Sequence, residues 1–130
     1  MPDSVFTKII NGDIPCHKIY EDEHTFAFLD NHPSQLGHTL VVPKKQVESL
    51  WELSEPDYQA VMETVKKVAR RLKEVLGIKY VGMEVIGVDV PHAHVHVIPF
   101  NTTAEFKGES NRPDPDDHQT WSGVASKLAF

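Results

Sequence analysis

Residues 54–77, SEPDYQAVMETVKKVARRLKEVLG, constrain this chain most, because they read as one long helix with a single apolar face. Ser54 is a natural N-cap, Pro56 suits a first turn that does not need its N–H, and Gly77 is a stop signal. Val61, Val65, Val68, Leu72 and the Val75/Leu76 pair recur in steps of three and four, which is one stripe on a helix. Such a stripe must be buried against another element, and the segments on both sides of the helix have the alternation of strands. The long helix therefore implies a sheet to pack on.

Upstream, SVFTKIING reads as a short helix capped by Ser4 and ended by Gly12. CHKIYED and TFAFLD read as two strands joined at a tight acidic turn around Asp22 and Glu23. NHPSQLGH is loop, punctuated by Pro33 and Gly37, and HTLVVPKK is a third strand closed by Pro43. KYVGMEVIGV and PHAHVHVIPF supply the fourth and fifth strands after the long helix. Residues 101–117 carry Gly108, Pro113 and Pro115 and read as a mobile loop. DHQTWSGVASKLAF is a short terminal helix weakened by Gly123. Trp121 reads as its anchor, the other reading being a side chain that reaches a neighbouring active site in a dimer. The order predicts an α+β fold, a five-stranded antiparallel sheet with one long and one or two short helices, the helices on one face. Residues 1–130 read as one domain, with 101–130 as a variable C-terminal segment.

Composition narrows the function classes. A net charge of −6 argues against nucleic-acid binding through a basic surface. Lys66, Lys67, Arg70, Arg71 and Lys73 on the long helix, and Asp114, Asp116 and Asp117 near the end, read as solvated faces. No stretch approaches transmembrane length, and the start has no signal-peptide shape, so no membrane partner is expected. The single cysteine, Cys16, cannot form an internal disulfide, which favours a reducing, cytoplasmic compartment. It has no nucleophilic context and reads as a buried or semi-exposed bystander.

The chemistry concentrates in PHAHVHVIPF. On a strand, His92, His94 and His96 share one face, while Ala93, Val95 and Val97 share the other. The second face looks like core, and the first is a row of imidazoles whose ordinary pKa lies near neutrality. Two chemistries fit. Metal binding is limited by geometry, because His92 and His96 would be roughly 13 Å apart on a straight strand. His92 and His94 with a third ligand from His38, His32 or Asp89 remain available for it. The alternative is nucleophilic attack on phosphorus by a neutral, oriented imidazole, with its neighbours as proton donor and orienter.

HAHVHVI resembles the alternating signature of the histidine triad, or HIT, superfamily. VFTKIINGDIP, KIYEDEHTFAFLDNHPSQLGHTLVVPKK and the triad stand in the family's order and cover roughly residues 4 to 100. The closest likeness is to its Hint-like branch of small nucleotide-binding hydrolases. The resemblance implies a nucleotide-binding hydrolase or transferase that cleaves a nucleoside 5′-phosphoramidate or related phosphoanhydride through a covalent nucleotidyl-histidine. By the same resemblance His94 is the nucleophile, and His96 contacts the phosphate or leaving group and helps protonate it. His92 positions the nucleophile, supported by His38. Asp30 accepts from the ribose hydroxyls, while Phe6, Ile9, Ile14 and Phe28, with Asn31 alongside, form the base pocket. A purine nucleotide substrate and a homodimer whose half-sheets join are implied, with no cofactor required.

The chain departs from the pattern in two places. Val88 and Asp89 stand where the family usually has Gln and then Ser, Thr or Glu on the phosphate, so an apolar residue and a carboxylate replace donors. That keeps open a nucleotide-binding protein with little turnover. Some bacterial members also hold a structural zinc through a CxxC pair and a His after PKK. Here those positions are Ser4, Thr7 and Gln46, none of them a good zinc ligand.

Overall fold

The computed structural model describes residues 2–130. The five strands are β1 (Lys18–Glu21), β2 (Thr25–Leu29), β3 (Thr39–Pro43), β4 (Tyr80–Glu84) and β5 (Val95–Phe100). They form one antiparallel sheet in the order β1-β2-β3-β5-β4. The four α-helices of the described residues are α1 (Val5–Ile10), α2 (Glu55–Leu76), α3 (Thr103–Phe106) and α4 (His118–Leu128). The fold is α+β, a five-stranded sheet with one long helix, as the sequence indicates.

Local signals set the helix ends. Ser54 Oγ accepts from Asp57 N–H at the start of α2, and Gly77 caps its end. The stripe of Val61, Val65, Val68 and Leu72 is buried against Ala27, Leu29, Val41, Val95 and Val97. α4 extends that layer with Trp121, Ala125 and Leu128. Trp121 is buried in its own core, so it anchors α4. Arg71 of α2 also holds the end of α4, donating from Nε to Leu128 O at 2.9 Å and from Nη2 to Lys127 O at 3.0 Å.

The helices lie on both faces of the sheet, not on one. Every residue of β2 and β3 is buried. Strands apolar on both sides need cover on both sides. Phe26, Phe28, Leu40 and Val42 point away from α2 and pack against Phe6 and Ile9 of α1. The stretch read as a mobile loop holds α3, which a Thr102–Glu105 capping box starts. Phe106 of α3 packs edge-on against Phe100 at 5.2 Å and lies over Gly82, where a Cβ would collide with its ring.

The histidine row also differs from expectation. β4 ends at Glu84, and the chain leaves the sheet until Val95. In that interval His92 N–H donates to Val90 O at 2.8 Å, and Ala93 N–H donates to Val47 O at 2.7 Å. Only His96 is therefore in β5. His92 and His94 lie on the bend that leads into it.

Candidate active site

Each histidine of the row has a different set of partners. His94 donates from Nδ1 to the carbonyl oxygen of His92 at 2.8 Å. That bond fixes the tautomer and leaves the Nε2 lone pair free. Nε2 has no hydrogen-bond partner, and it is not among the sealed-off polar atoms. Burial, only partly offset by the bond to His92, pushes the His94 pKa down and keeps the ring neutral near pH 7. Phe6 stands edge-on to it at 5.0 Å, and His96 lies 5.3 Å away, centroid to centroid.

His96 belongs to a second cluster. His38 Nε2 lies 3.0 Å from His96 Nδ1 and 3.3 Å from Asp30 Oδ2, which is itself 3.5 Å from His96 Nδ1. Ser34 N–H donates to His38 Nδ1 at 3.0 Å, so the His38 proton is on Nε2. With His96 neutral, that proton is shared between His96 Nδ1 and Asp30. With His96 protonated, its own Nδ1–H has Asp30 as acceptor. Burial works against ionisation of Asp30. Hydrogen bonds from His96 and the His32 N–H, with the charges of His38 and His96, nevertheless hold its pKa at about 2.

His94, His96 and Asp30 open on a cleft of about 550 Å³. Val5, Phe6, Ile9, Phe28 and Leu40 give it an apolar wall. Asn31, His32, Ser34 and His38 line another side, and Glu84, Ile86, Gly87, Val88, Asp89 and Val90 form the rim. The slot thus has one apolar side and, next to it, a carboxylate beside two imidazoles.

A model of the HIT domain matches residues 11–103. The chain belongs to the HIT domain family. Among its relatives is the "Protein hit" of Bacillus subtilis, 37% identical over 96% of this chain and 94% of that protein. The adenosine 5'-monophosphoramidase hnt1 of Schizosaccharomyces pombe is 36% identical over 73% of this chain and 72% of its own length. Among solved structures, a HIT-like protein from Bartonella henselae superposes with a TM-score of 0.82 at 26% identity, covering 97% of this chain and 94% of that one.

In this HIT protein the cleft gathers most residues that the sequence singled out: His94, His96, His38, Asp30, Phe28, Asn31, Phe6, Ile9, Val88 and Asp89. Ile14 is not among its lining residues. It packs against the apolar cluster under α1. His38 does not support His92 but bonds to Asp30 and His96, because the β3–β5 register puts Leu40 opposite His96 and makes His38 its diagonal neighbour. Glu84, paired with His96 across β4 and β5, is a lining residue that the sequence reading missed. Its place within the predicted fourth strand, KYVGMEVIGV, next to the triad strand in sequence, was the available signal.

The His92 ring does not line the cleft, although its backbone carbonyl orients His94. Its Nε2–H donates to Pro43 O at 2.8 Å, and its Nδ1 accepts from Ser4 Oγ at 2.7 Å. Gln46 Oε1 ties the knot, accepting from Ser4 N–H at 2.7 Å and Thr7 Oγ1 at 2.9 Å. Both nitrogens of His92 are thus engaged, so the metal pair of His92 and His94 does not form. Ser4, Thr7, Gln46 and His92 do converge, but as hydroxyls and an amide bonded to an imidazole, and this donor set does not fit zinc. Asp30, His38 and His96 are the one trio among the described residues with ligand atoms close enough to share an ion. Cys16 is half-buried, and burial pushes its thiol pKa up, which fits a bystander.

Proposed function

We propose that this HIT protein is a nucleotidyl hydrolase or transferase that cleaves a nucleoside 5′-phosphoramidate, or a related phosphoanhydride, through a nucleotidyl-His94 intermediate. The observation that carries the reading is the His94 Nδ1–H bond to its own backbone at His92 O, which leaves Nε2 neutral and unengaged beside the cleft. In the first step the Nε2 lone pair attacks phosphorus, the P–N bond breaks, and the leaving nitrogen takes a proton from His96 Nε2. Asp30 accepts the Nδ1–H of His96 while that ring is protonated. In the second step water attacks phosphorus, the Nε2–P bond breaks, and the water proton returns to His96. Asp30 has lone pairs left for a ribose hydroxyl, since each carboxylate oxygen can accept more than one bond. The apolar wall suits a purine base, and S. pombe hnt1, by its name, acts on an adenosine monophosphoramidate.

A homodimer and a cytoplasmic setting belong to the same proposal. β4 is an edge strand with Tyr80 and Met83 exposed, an open row of backbone groups with apolar side chains suited to pairing with a second β4. The lone cysteine supports the reducing compartment.

Val88 favours a second reading. It is 80% exposed at the rim and its side chain offers no donor to a phosphate, which suits nucleotide binding with little turnover. The test is hydrolysis of adenosine 5′-phosphoramidate by the wild type and His94→Ala with a chelator present, and mass spectrometry of quenched wild-type enzyme. The expected result is metal-independent turnover, a nucleotidyl adduct on His94, and a loss of about a thousandfold or more in the variant. Turnover surviving in His94→Ala removes the nucleophile assignment. AMP binding without wild-type turnover selects the second reading.

A further inference from the structure

The sign of the charge around the nucleophile is unusual for a site that handles phosphate. The residues lining the main cleft include three carboxylates, Asp30, Glu84 and Asp89, and no lysine or arginine. The two lysines of the PKK run turn elsewhere, Lys44 to Glu21 at 2.8 Å and Lys45 to Asp57 at 3.3 Å. Arg112, whose charge reaches His38, is hydrogen-bonded to Pro33 O and does not line the cleft. Glu84 is directly across from His96, the proton donor, and the Asp89 charge acts on His94, the nucleophile.

The same sign continues outward. Beyond Ile86 and Gly87 a second cleft of about 300 Å³ also touches His94. Its lining includes Glu48, Glu52 and Trp51, the last 73% exposed, and again no lysine or arginine. An open indole flanked by carboxylates is a surface for a cation. A polyphosphate chain running from the histidines past Glu84 and Asp89 towards Trp51 would meet repulsion, whereas an ammonium would meet attraction.

We propose that Glu84 and Asp89, with the Trp51 cleft beyond them, make this site select substrates whose leaving group carries positive charge, such as an amine with a second ammonium. The proposal rests on the nucleotidyl-transfer reading above and names its substrate class. The amine departs with the electron pair of the P–N bond and the His96 proton, and a second ammonium further along its chain lies among carboxylates throughout. Selection acts on the leaving group alone, so the nucleoside slot is common to all substrates.

The test uses three adenosine 5′-phosphoramidates of matched length, with leaving groups that end in an ammonium, a methyl and a carboxylate. kcat/KM is measured for each at low and high salt, and Kd for each by calorimetry. The expected order is ammonium, methyl, carboxylate, with steps of about fivefold to tenfold at low salt that shrink as salt is raised. In Glu84→Gln and Asp89→Asn the ammonium-to-methyl ratio falls, whatever happens to the absolute rates. Equal or reversed ratios in the wild type overturn the proposal. If none of the three turns over, the hydrolase reading fails, and the Kd series alone decides charge selection: the same order supports it, and equal affinities refute it.

Discussion

The backbone N–H of Ser34 donates to Nδ1 of His38 at 3.0 Å, so that ring cannot take a second proton without losing the bond. Burial outweighs the Asp30 carboxylate and pushes the His38 pKa from 6.5 down to about 4. An unfolded chain binds this proton near pH 6.5, whereas the folded one resists it until about pH 4. The stability contribution is thus full above pH 6.5 and is lost as pH falls towards 4, about 3 kcal/mol in all. His92 and His94 are shifted in the same direction and add to the slope. Urea midpoints should fall between pH 7 and 4.5, and less steeply in His38→Asn. Equal slopes in both proteins would exclude His38 as a source.

The knot around His92 leads to a second expectation. Ser4→Ala removes the donor to His92 Nδ1 and the cap that accepts from Thr7 N–H. The cost should be about 1–3 kcal/mol by thermal melting. Because Phe6 follows on the same helix and stands against His94, activity should fall with it. A chelator should leave the wild-type Tm unchanged. A drop on chelation would mean that a metal holds this region after all.

Gly37 has φ +96°, where a side chain is strained, and an added Cβ would lie 2.7 Å from Leu76 Cδ1 and 3.3 Å from Leu72 Cδ2. Gly37→Ala should destabilise the protein by about 1–3 kcal/mol in urea titration. The next residue is His38, so kcat should also fall. Unchanged stability would show that α2 yields at its C-terminal end.

Trp121 is buried, yet its Nε1–H has no acceptor. Trp121→Phe removes that orphan donor and should stay within about 1 kcal/mol of the wild type, while Trp121→Ala should lose about 3–5 kcal/mol. Denaturation monitored by circular dichroism reads both. A large loss in the phenylalanine variant would point to a partner for the indole N–H, an internal water for example.

The ends of the long helix were legible because Ser54, Pro56 and Gly77 act within one turn of themselves. The two-sided cover of the sheet was not, since TFAFL and TLVVP read as strands but give no count of the layers above them. The same division runs through the site. His94, His96, Asp30 and Phe28 could be placed from motif and alternation. The partner of His38 depends on the β3–β5 register, which no short stretch encodes. The bend that removes His92 from the row arises from a backbone bond between Ala93 and Val47, residues far apart in the chain.

The bond between Ser4 and His92 spans 88 positions. The helix that carries Phe6 is synthesised well before the residue that tethers it. During synthesis Phe6 has no His94 ring to stand against until the bend before β5 emerges. A nascent chain that has not reached the histidine bend therefore lacks the partner of this wall, and long-range closure of this kind slows folding. Completion of the cleft waits on the arrival of the histidine bend, not on the formation of the helices.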